Sequence, residues 1–358
     1  MHLLIPFASA LSEPAAEVLR DLPLPSLASL LQRLTAEDAD ETGERGAGHA
    51  GDASHASHAS DASDEYTLSP PHERALARAW GWPLIDGGLP LAAQAAAADG
   101  VAVGDQPWGL LTPTHWDGGR DHVTLSDPQA LRLDEAESRA LFDAVRGLFE
   151  TEGFALAWGA PSRWYASHES LAEHRSASLD RVVGRNVDLW LRGAEPAGAS
   201  AKASASAASS AEKSARAAAN PAASTRLLRR LQSEVQLLLY PHPINEAREA
   251  RGEMTVNSFW LSGCGRYRAA DLAAVQVDES LRGPLVQQDW AAWAEAWRAL
   301  DAGPLARLLA QLDNDGGATL TLCGERHART FRQRPLPLLK RLRQRWSAPL
   351  PATVLEAL

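Results

Sequence analysis

Residues 242–266, HPINEAREARGEMTVNSFWLSGCGR, hold the densest run of side chains suited to chemistry in this chain. His242, Asn245 and Arg248 stand at i, i+3 and i+6, so on a helix His242 and Asn245 share a face and Arg248 lies further round. Asn257 and Phe259 share one face of a strand that follows, with Ser258 and Trp260 on the other. Arg266 comes after Gly-Cys-Gly. A guanidinium and amides converging beside a glycine turn suit recognition of a phosphate or a carboxylate, and the turn itself exposes backbone N–H groups that form an anion nest. The competing account is a helix N-terminus and turn in which the same groups satisfy backbone atoms. Both stay open on the sequence alone.

Other chemistries are less complete. Cys264 has Arg266 and Arg268 close enough to lower a thiol pKa, but no base accompanies it. His115, Asp117, Asp121, His122 and Asp127 cluster in WGLLTPTHWDGGRDHVTLSD, and histidine with aspartate is a ligand set for a divalent cation. Strand alternation sends Asp121 and His122 to opposite faces, so polar turn residues and a satisfied histidine are the plainer account. His55 and His58 sit in the repetitive HASHASDASD, which cannot fix ligand geometry. The chain has no Gly-x-Ser-x-Gly elbow, P-loop, His-Glu-x-x-His or Gly-x-Gly-x-x-Gly.

The elements that must position these residues read as follows. HLLIPF (2–7) is a short buried strand, with helical pieces near 10–20 and 26–34. Ser69 and Pro70 begin a helix through Trp80. Residues 108–116 contain a strand ending at Pro113 and 122–127 are a second short strand, with the turn residues Asp117-Gly118-Gly119 between them in a hairpin-like connection. Asp134 caps a helix that lines up Leu141, Phe142, Val145, Leu148 and Phe149. Strands 154–158 and 162–167 flank the turn Gly159-Ala160-Pro161. A second amphipathic helix carries Leu227, Leu228, Leu231, Val235, Leu238 and Leu239 and stops at Pro241. Residues 254–263, 271–277 and 317–324 read as strands. Trp290, Trp293 and Trp297 form a core stripe on a helix capped by Asp289. Paired strands with scattered helices, without strict βαβα alternation, predict an α+β fold with a mainly antiparallel or mixed sheet and packed helices.

At 358 residues and 45% hydrophobic content the chain can bury a core without disulfides. Residues 36–66, acidic and small, and 194–224, rich in Ala and Ser, lack side chains to bury and read as disordered insertions. One large domain is therefore expected from 1–35, 67–193 and 225–358. A net charge of −10 argues against nucleic-acid or membrane partners. The exception is the basic stretch with Arg326, Arg329, Arg332, Arg334, Lys340, Arg341, Arg343 and Arg345, read as a solvated helix face whose arginines cover apolar surface. Cys264 and Cys323, the two cysteines, form no disulfide framework and fit a reducing cytoplasm. MHLLIPFASA lacks the basic start and long apolar run of a signal peptide, and no run approaches a membrane span.

The run LRRLQSEVQLLLYPHPINEAREARG into VNSFWLSGCGR, with RNVDLW upstream and MHLLIPFASAL at the start, resembles the RpfE-type regulatory proteins of proteobacteria, a family labelled phosphoglycerate mutase-like. His242-x-x-Asn245-x-x-Arg248, then Gly252, Asn257, Trp260, Gly263 and Gly265, is similar to a segment of the archaeal-type cofactor-independent phosphoglycerate mutases. That second resemblance is confined to the middle and later part of the chain. Those mutases belong to the alkaline-phosphatase superfamily, with two metal ions and a Ser or Thr nucleophile. Their Asp-Gly turn after the first strand and their Asp-His-Gly motif are absent here. The resemblance thus implies a mutase-like fold and an anion pocket without the catalytic core.

The resulting expectation is a cytoplasmic regulatory protein, non-catalytic and without a cofactor. It binds a small phosphorylated or carboxylated metabolite through His242, Asn245, Arg248, Asn257 and Arg266. The alternative is a metal-dependent phosphoglycerate mutase or phosphatase using Mn or Mg, with ligands among His115, Asp121, His122 and Asp188. Oligomeric state stays open.

Overall fold

The computed structural model describes residues 1–37, 64–119, 122–193, 221–314, 317–333 and 349–358. In chain order it begins with β1 (His2–Ile5), α1 (Glu13–Asp21), α2 (Pro25–Arg33), β2 (Thr35–Ala36) and α3 (Pro71–Ala79). Next come α4 (Leu91–Ala98), β3 (Pro107–Thr114), β4 (Trp116–Gly118), β5 (Val123–Leu125), α5 (Glu135–Thr151), β6 (Ala155–Ala160) and β7 (Arg163–Ser167). They are followed by α6 (Leu179–Val182), α7 (Val187–Gly193), α8 (Pro221–Leu239), α9 (Pro243–Ala250), β8 (Ser258–Arg266) and β9 (Gln276–Val277). The last elements are α10 (Arg282–Val286), α11 (Trp290–Leu300), α12 (Ala306–Asp313), β10 (Thr319–Cys323), β11 (Ala328–Arg332) and α13 (Pro351–Glu356). Helices alternate irregularly with mixed and antiparallel sheets, the α+β class the sequence predicts. The chain packs as two compact units.

The first unit gathers Met1–Tyr66, Pro70–Trp82 and Ala270–Leu358. Its sheet runs β2-β11-β10-β1-β9, with β1 parallel to both neighbours and β11 antiparallel to β10 and β2. A strand between parallel partners is covered on both faces, which explains its continuous apolar sequence. Leu3 and Ile5 enter one core cluster and Leu4 another. Trp293 and Trp297 are fully buried in the first of these, and Asp289 accepts the Ala292 N–H at 3.0 Å, so the stripe is core.

Two expectations change in this unit. Residues 271–277 are not a continuous strand: Asp271 accepts from Ala273 N and starts a short 3-10 turn, leaving two residues for β9. Arg329 and Arg332 lie on the strand β11, not on a helix. Arg332 pairs with Glu37 at 3.0 Å and Arg326 with Glu65 at 3.1 Å. Arg334, Lys340, Arg341, Arg343 and Arg345 fall outside the described residues.

The second unit comprises Thr67–Ser69 and Pro83–Ala269. Its antiparallel sheet is ordered β6-β7-β3-β8, and β4 pairs with β5 as a separate hairpin. Asp134 caps α5 by accepting from Glu137 N at 2.8 Å, and the apolar stripe of α5 is buried with Leu228, Leu231, Val235 and Leu239 of α8. Leu238 departs from the expected stripe and is exposed. Phe259 and Trp260 enter different core clusters, as strand alternation requires.

The strand expected at 254–263 begins only at Ser258 and continues through Arg266. Gly-Cys-Gly is thus the irregular end of β8, where its register with β3 shifts, and not a turn after it. Gly263 has a φ of +65°, and a Cβ there would lie 2.8 Å from the Ala92 nitrogen, so its smallness admits α4 against the sheet. Ala36 pairs with Phe331, Asp64–Tyr66 form a 3-10 turn, and 221–224 are the first turn of α8. Apart from these and Glu37, whose N–H donates to Thr330 O at 2.8 Å, the two expected insertions lie outside the described residues. Among the described residues no helix is long and apolar enough to cross a membrane.

Candidate functional site

The polar residues of 242–266 are placed by α9 and β8, and their atoms are engaged with the protein itself. His242 is the N-cap of α9: its Nδ1 accepts from Ile244 N at 3.3 Å. Asn245, 2% exposed, donates from Nδ2 to Leu239 O at 2.8 Å and to Val256 O at 2.7 Å, while its Oδ1 accepts from Val256 N at 2.9 Å. One amide thus ties the end of α8 to the chain entering β8. Arg248, 1% exposed, donates through Nε to Met254 O at 2.8 Å, through Nη2 to Leu131 O and through Nη1 to Glu137. Asn257 exchanges two hydrogen bonds with the Trp116 backbone, at 2.8 and 2.9 Å. Arg266 binds Asp105 O and Glu169.

Asn245 and Arg248 are brought together around residues 254–256, and Asn257 is next to them. Arg266 is not. It lies at the other end of β8, roughly 30 Å from Asn257 at about 3.3 Å per residue. The five side chains therefore frame the structure where the sequence suggested an anion site.

Cys264 is 2% exposed, and burial pushes its thiol up to about 12. That is the reverse of the activation an exposed, arginine-flanked thiol would show. At the proposed cation site, His115 donates from Nδ1 to Thr255 O at 2.9 Å, His122 and Asp188 are exposed, and Asp121 lies outside the described residues. Among the described residues no three His, Cys, Asp or Glu side chains gather with metal-ligand geometry.

A different set of residues surrounds a small open cleft of about 60 Å³ in the second unit. Four segments build it. Thr225, Leu228, Arg229 and Gln232, at i, i+3, i+4 and i+7, present one face of α8. Phe259, Trp260 and Leu261 come from β8, Trp190 and Leu191 from α7, and His174, Ser176 and Ala177 from the stretch before α6. The Trp260 indole donates to Ala177 O at 2.9 Å, which fixes that ring as a wall. Gln232 donates from Nε2 to Phe259 O at 3.1 Å. Arg229 donates to Leu191 O at 3.3 Å.

Trp190 is only 4% exposed, yet its indole N–H is buried with no hydrogen-bond partner. Burial pulls the His174 imidazole down to about 4, so it is neutral at pH 7. The sequence offered one signal for this site: the polar residues Thr225, Arg229 and Gln232 recur at helical spacing beside the leucine stripe of α8. Trp190 and His174 carried none, because Trp190 sits on a helix of only seven residues and His174 in an irregular stretch.

No protein-family model matches the chain, and no curated protein matches it. Among solved structures, the cofactor-independent phosphoglycerate mutase from Thermoplasma acidophilum DSM 1728 is similar over 100% of this chain and 98% of that one, at 12% identity and a TM-score of 0.32. The PH0037 protein from Pyrococcus horikoshii is similar over 93% of this chain and 87% of its own, at 12% identity and a TM-score of 0.40. Similarity at this level carries no argument about a site or an activity.

Proposed function

We propose that this chain is a cytoplasmic regulatory protein that binds a small anionic metabolite and works by binding, not by turnover. The ligand site is the cleft of the second unit. The observation that carries this reading is a cleft walled by Trp190, Phe259 and Trp260 that also holds Arg229. The inert, buried Cys264 and the engagement of Arg248 and Asn245 with backbone support binding over catalysis along 242–266. The resemblance to RpfE-type regulatory proteins supports the regulatory role.

Calorimetry with 3-phosphoglycerate and a panel of phosphorylated and carboxylated metabolites tests the proposal. A stoichiometric ligand is expected, with affinity reduced about tenfold in Arg229→Gln, the worth of one charge-assisted hydrogen bond. Binding unchanged in that variant overturns the cleft as the site. Turnover of 3-phosphoglycerate that depends on added manganese or magnesium overturns the non-catalytic reading.

A further inference from the structure

The size and lining of the cleft define its ligand more narrowly than charge alone. We infer that the cleft takes a short aliphatic monocarboxylate, with an alkyl group of about two or three carbons in the apolar pit and the carboxylate at the rim against Arg229. This rests on the cleft being the ligand site, as proposed above.

Size is the first reason. An apolar cavity of roughly 150 Å³ holds the six carbons of benzene, so by proportion the cleft's 60 Å³ hold about two or three. The wall is the second reason. Trp190, Leu228, Phe259, Trp260 and Leu261 offer carbon to whatever enters. The Trp260 N–H is already on Ala177 O and the Gln232 amide nitrogen on Phe259 O. Burial lowers His174 to about 4, so at pH 7 it brings no charge. An alkyl group gives up no hydrogen bond with water on entering such a space, whereas a hydroxyl does. The third reason is where charge sits. Arg229 is exposed, and its bond to Leu191 O holds the guanidinium beside the α7 wall. Among the described residues that line the cleft, it alone carries a charge. A single guanidinium matches a single carboxylate, and at the rim both keep contact with water. 3-Phosphoglycerate, charged at both ends with a hydroxyl between, has no alkyl group to place in the pit.

The test titrates the full chain with acetate, propionate, butyrate, pentanoate and hexanoate. Butyramide serves as the uncharged counterpart and 3-phosphoglycerate as an anion without an alkyl group. Methyl signals of ¹³C-labelled leucine are followed, and the Leu228 signals are identified by their loss in Leu228→Val. Affinity is expected to rise about fourfold per CH₂ from acetate to butyrate, the worth of one buried methylene, and to gain little beyond it once the pit is full. Arg229→Gln should weaken every acid about tenfold, leave butyramide unchanged and keep the gain per CH₂. Leu228→Val enlarges the pit by one methylene and should carry the rise on to pentanoate.

No rise with chain length, or a rise that continues at the same step through hexanoate, overturns the inference. If 3-phosphoglycerate or another metabolite of the panel then binds with dependence on Arg229, the ligand class is wrong while the binding function stands. Acids that gain with length but bind equally to Arg229→Gln and Leu228→Val bind elsewhere, which overturns the inference as well. If neither the acids nor any metabolite of the panel binds, both readings fall. Should Leu228→Val not fold, calorimetry of the same series on wild type and on Arg229→Gln, an exposed position, decides alone.

Discussion

Replacing Arg248 with alanine separates a structural role from a ligand-binding one, because the two predict opposite results. In the structure Arg248 is 1% exposed and links three parts of the second unit: Leu131 O ahead of α5, Glu137 in its first turn, and Met254 O before β8. Truncation leaves two backbone carbonyls without their donors, at about 1–3 kcal/mol each where no water replaces the guanidinium. Glu137 is less affected, since Arg251 still binds its other oxygen at 2.5 Å. Together these give a loss of roughly 3–5 kcal/mol, the usual range when one partner of a buried ion pair is removed. With a urea dependence of about 1–3 kcal/mol per molar, the midpoint should fall by at least about 1 M. Urea unfolding of wild type, Arg248→Ala and Arg248→Lys, followed by tryptophan fluorescence and far-ultraviolet circular dichroism at pH 7, measures it. The lysine variant should recover only part of the loss, because one ammonium cannot span three acceptors set around a planar fork. A ligand-binding arginine gives the reverse pattern: stability kept in the absence of ligand and affinity lost. An Arg248→Ala protein within about 0.5 kcal/mol of wild type, the size of an ordinary surface substitution, would refute the structural assignment.

Three further outcomes follow from the same coordinates. The His174 imidazole falls from 6.5 to about 4 in the folded state through burial, so the unfolded chain binds the extra proton first. Its contribution is intact above pH 6.5 and is lost as pH drops toward 4, by at most about 3 kcal/mol. The stability gap between wild type and His174→Asn should therefore narrow over that interval in urea titrations, and a gap independent of pH contradicts the burial. Cys264 and Cys323 are buried, with both thiols pushed upward by desolvation; iodoacetamide at pH 8 should leave both intact in native protein and modify both in urea, and rapid native alkylation would show an open thiol. Gly263→Ala meets both a positive φ and the Ala92 nitrogen at 2.8 Å, so a thermal-unfolding loss of about 1–3 kcal/mol is expected, and a neutral substitution would mean α4 does not approach β8 so closely.

Local signals were legible in the sequence wherever the partner lies within one helical turn or one strand. Asp134 and Asp289 cap the helices whose starts they mark, and the apolar run of β1 is buried as its composition requires. What escaped the sequence is pairing at long range. Asp301 accepts from Ser26 N and Leu27 N at the start of α2, a cap supplied from 274 and 275 positions away, where the preceding Leu24 has no side chain able to serve. Arg248 likewise finds Leu131 and Glu137 across more than a hundred residues. Loop closure on that scale leaves no periodicity to read.

The same distinction explains why the richest polar stretch did not mark the site best supported by the structure. An arginine, a histidine and two asparagines look identical in sequence whether they await a ligand or hold the backbone together. What separates the two cases is whether their donors already have acceptors. Asn245 uses both its amide nitrogen and its oxygen on backbone, and Arg248 is tied to two carbonyls and a carboxylate, so neither has a geometric reason to turn toward a solute. Trp190, which a hydropathy reading assigns to the core, has a buried N–H without an acceptor, as do Trp80 and Trp297. A buried polar atom is costly when it is single and inexpensive when paired. Where donors and acceptors are already matched, as in α9 and the chain entering β8, polarity of residue type therefore does not by itself mark a ligand site.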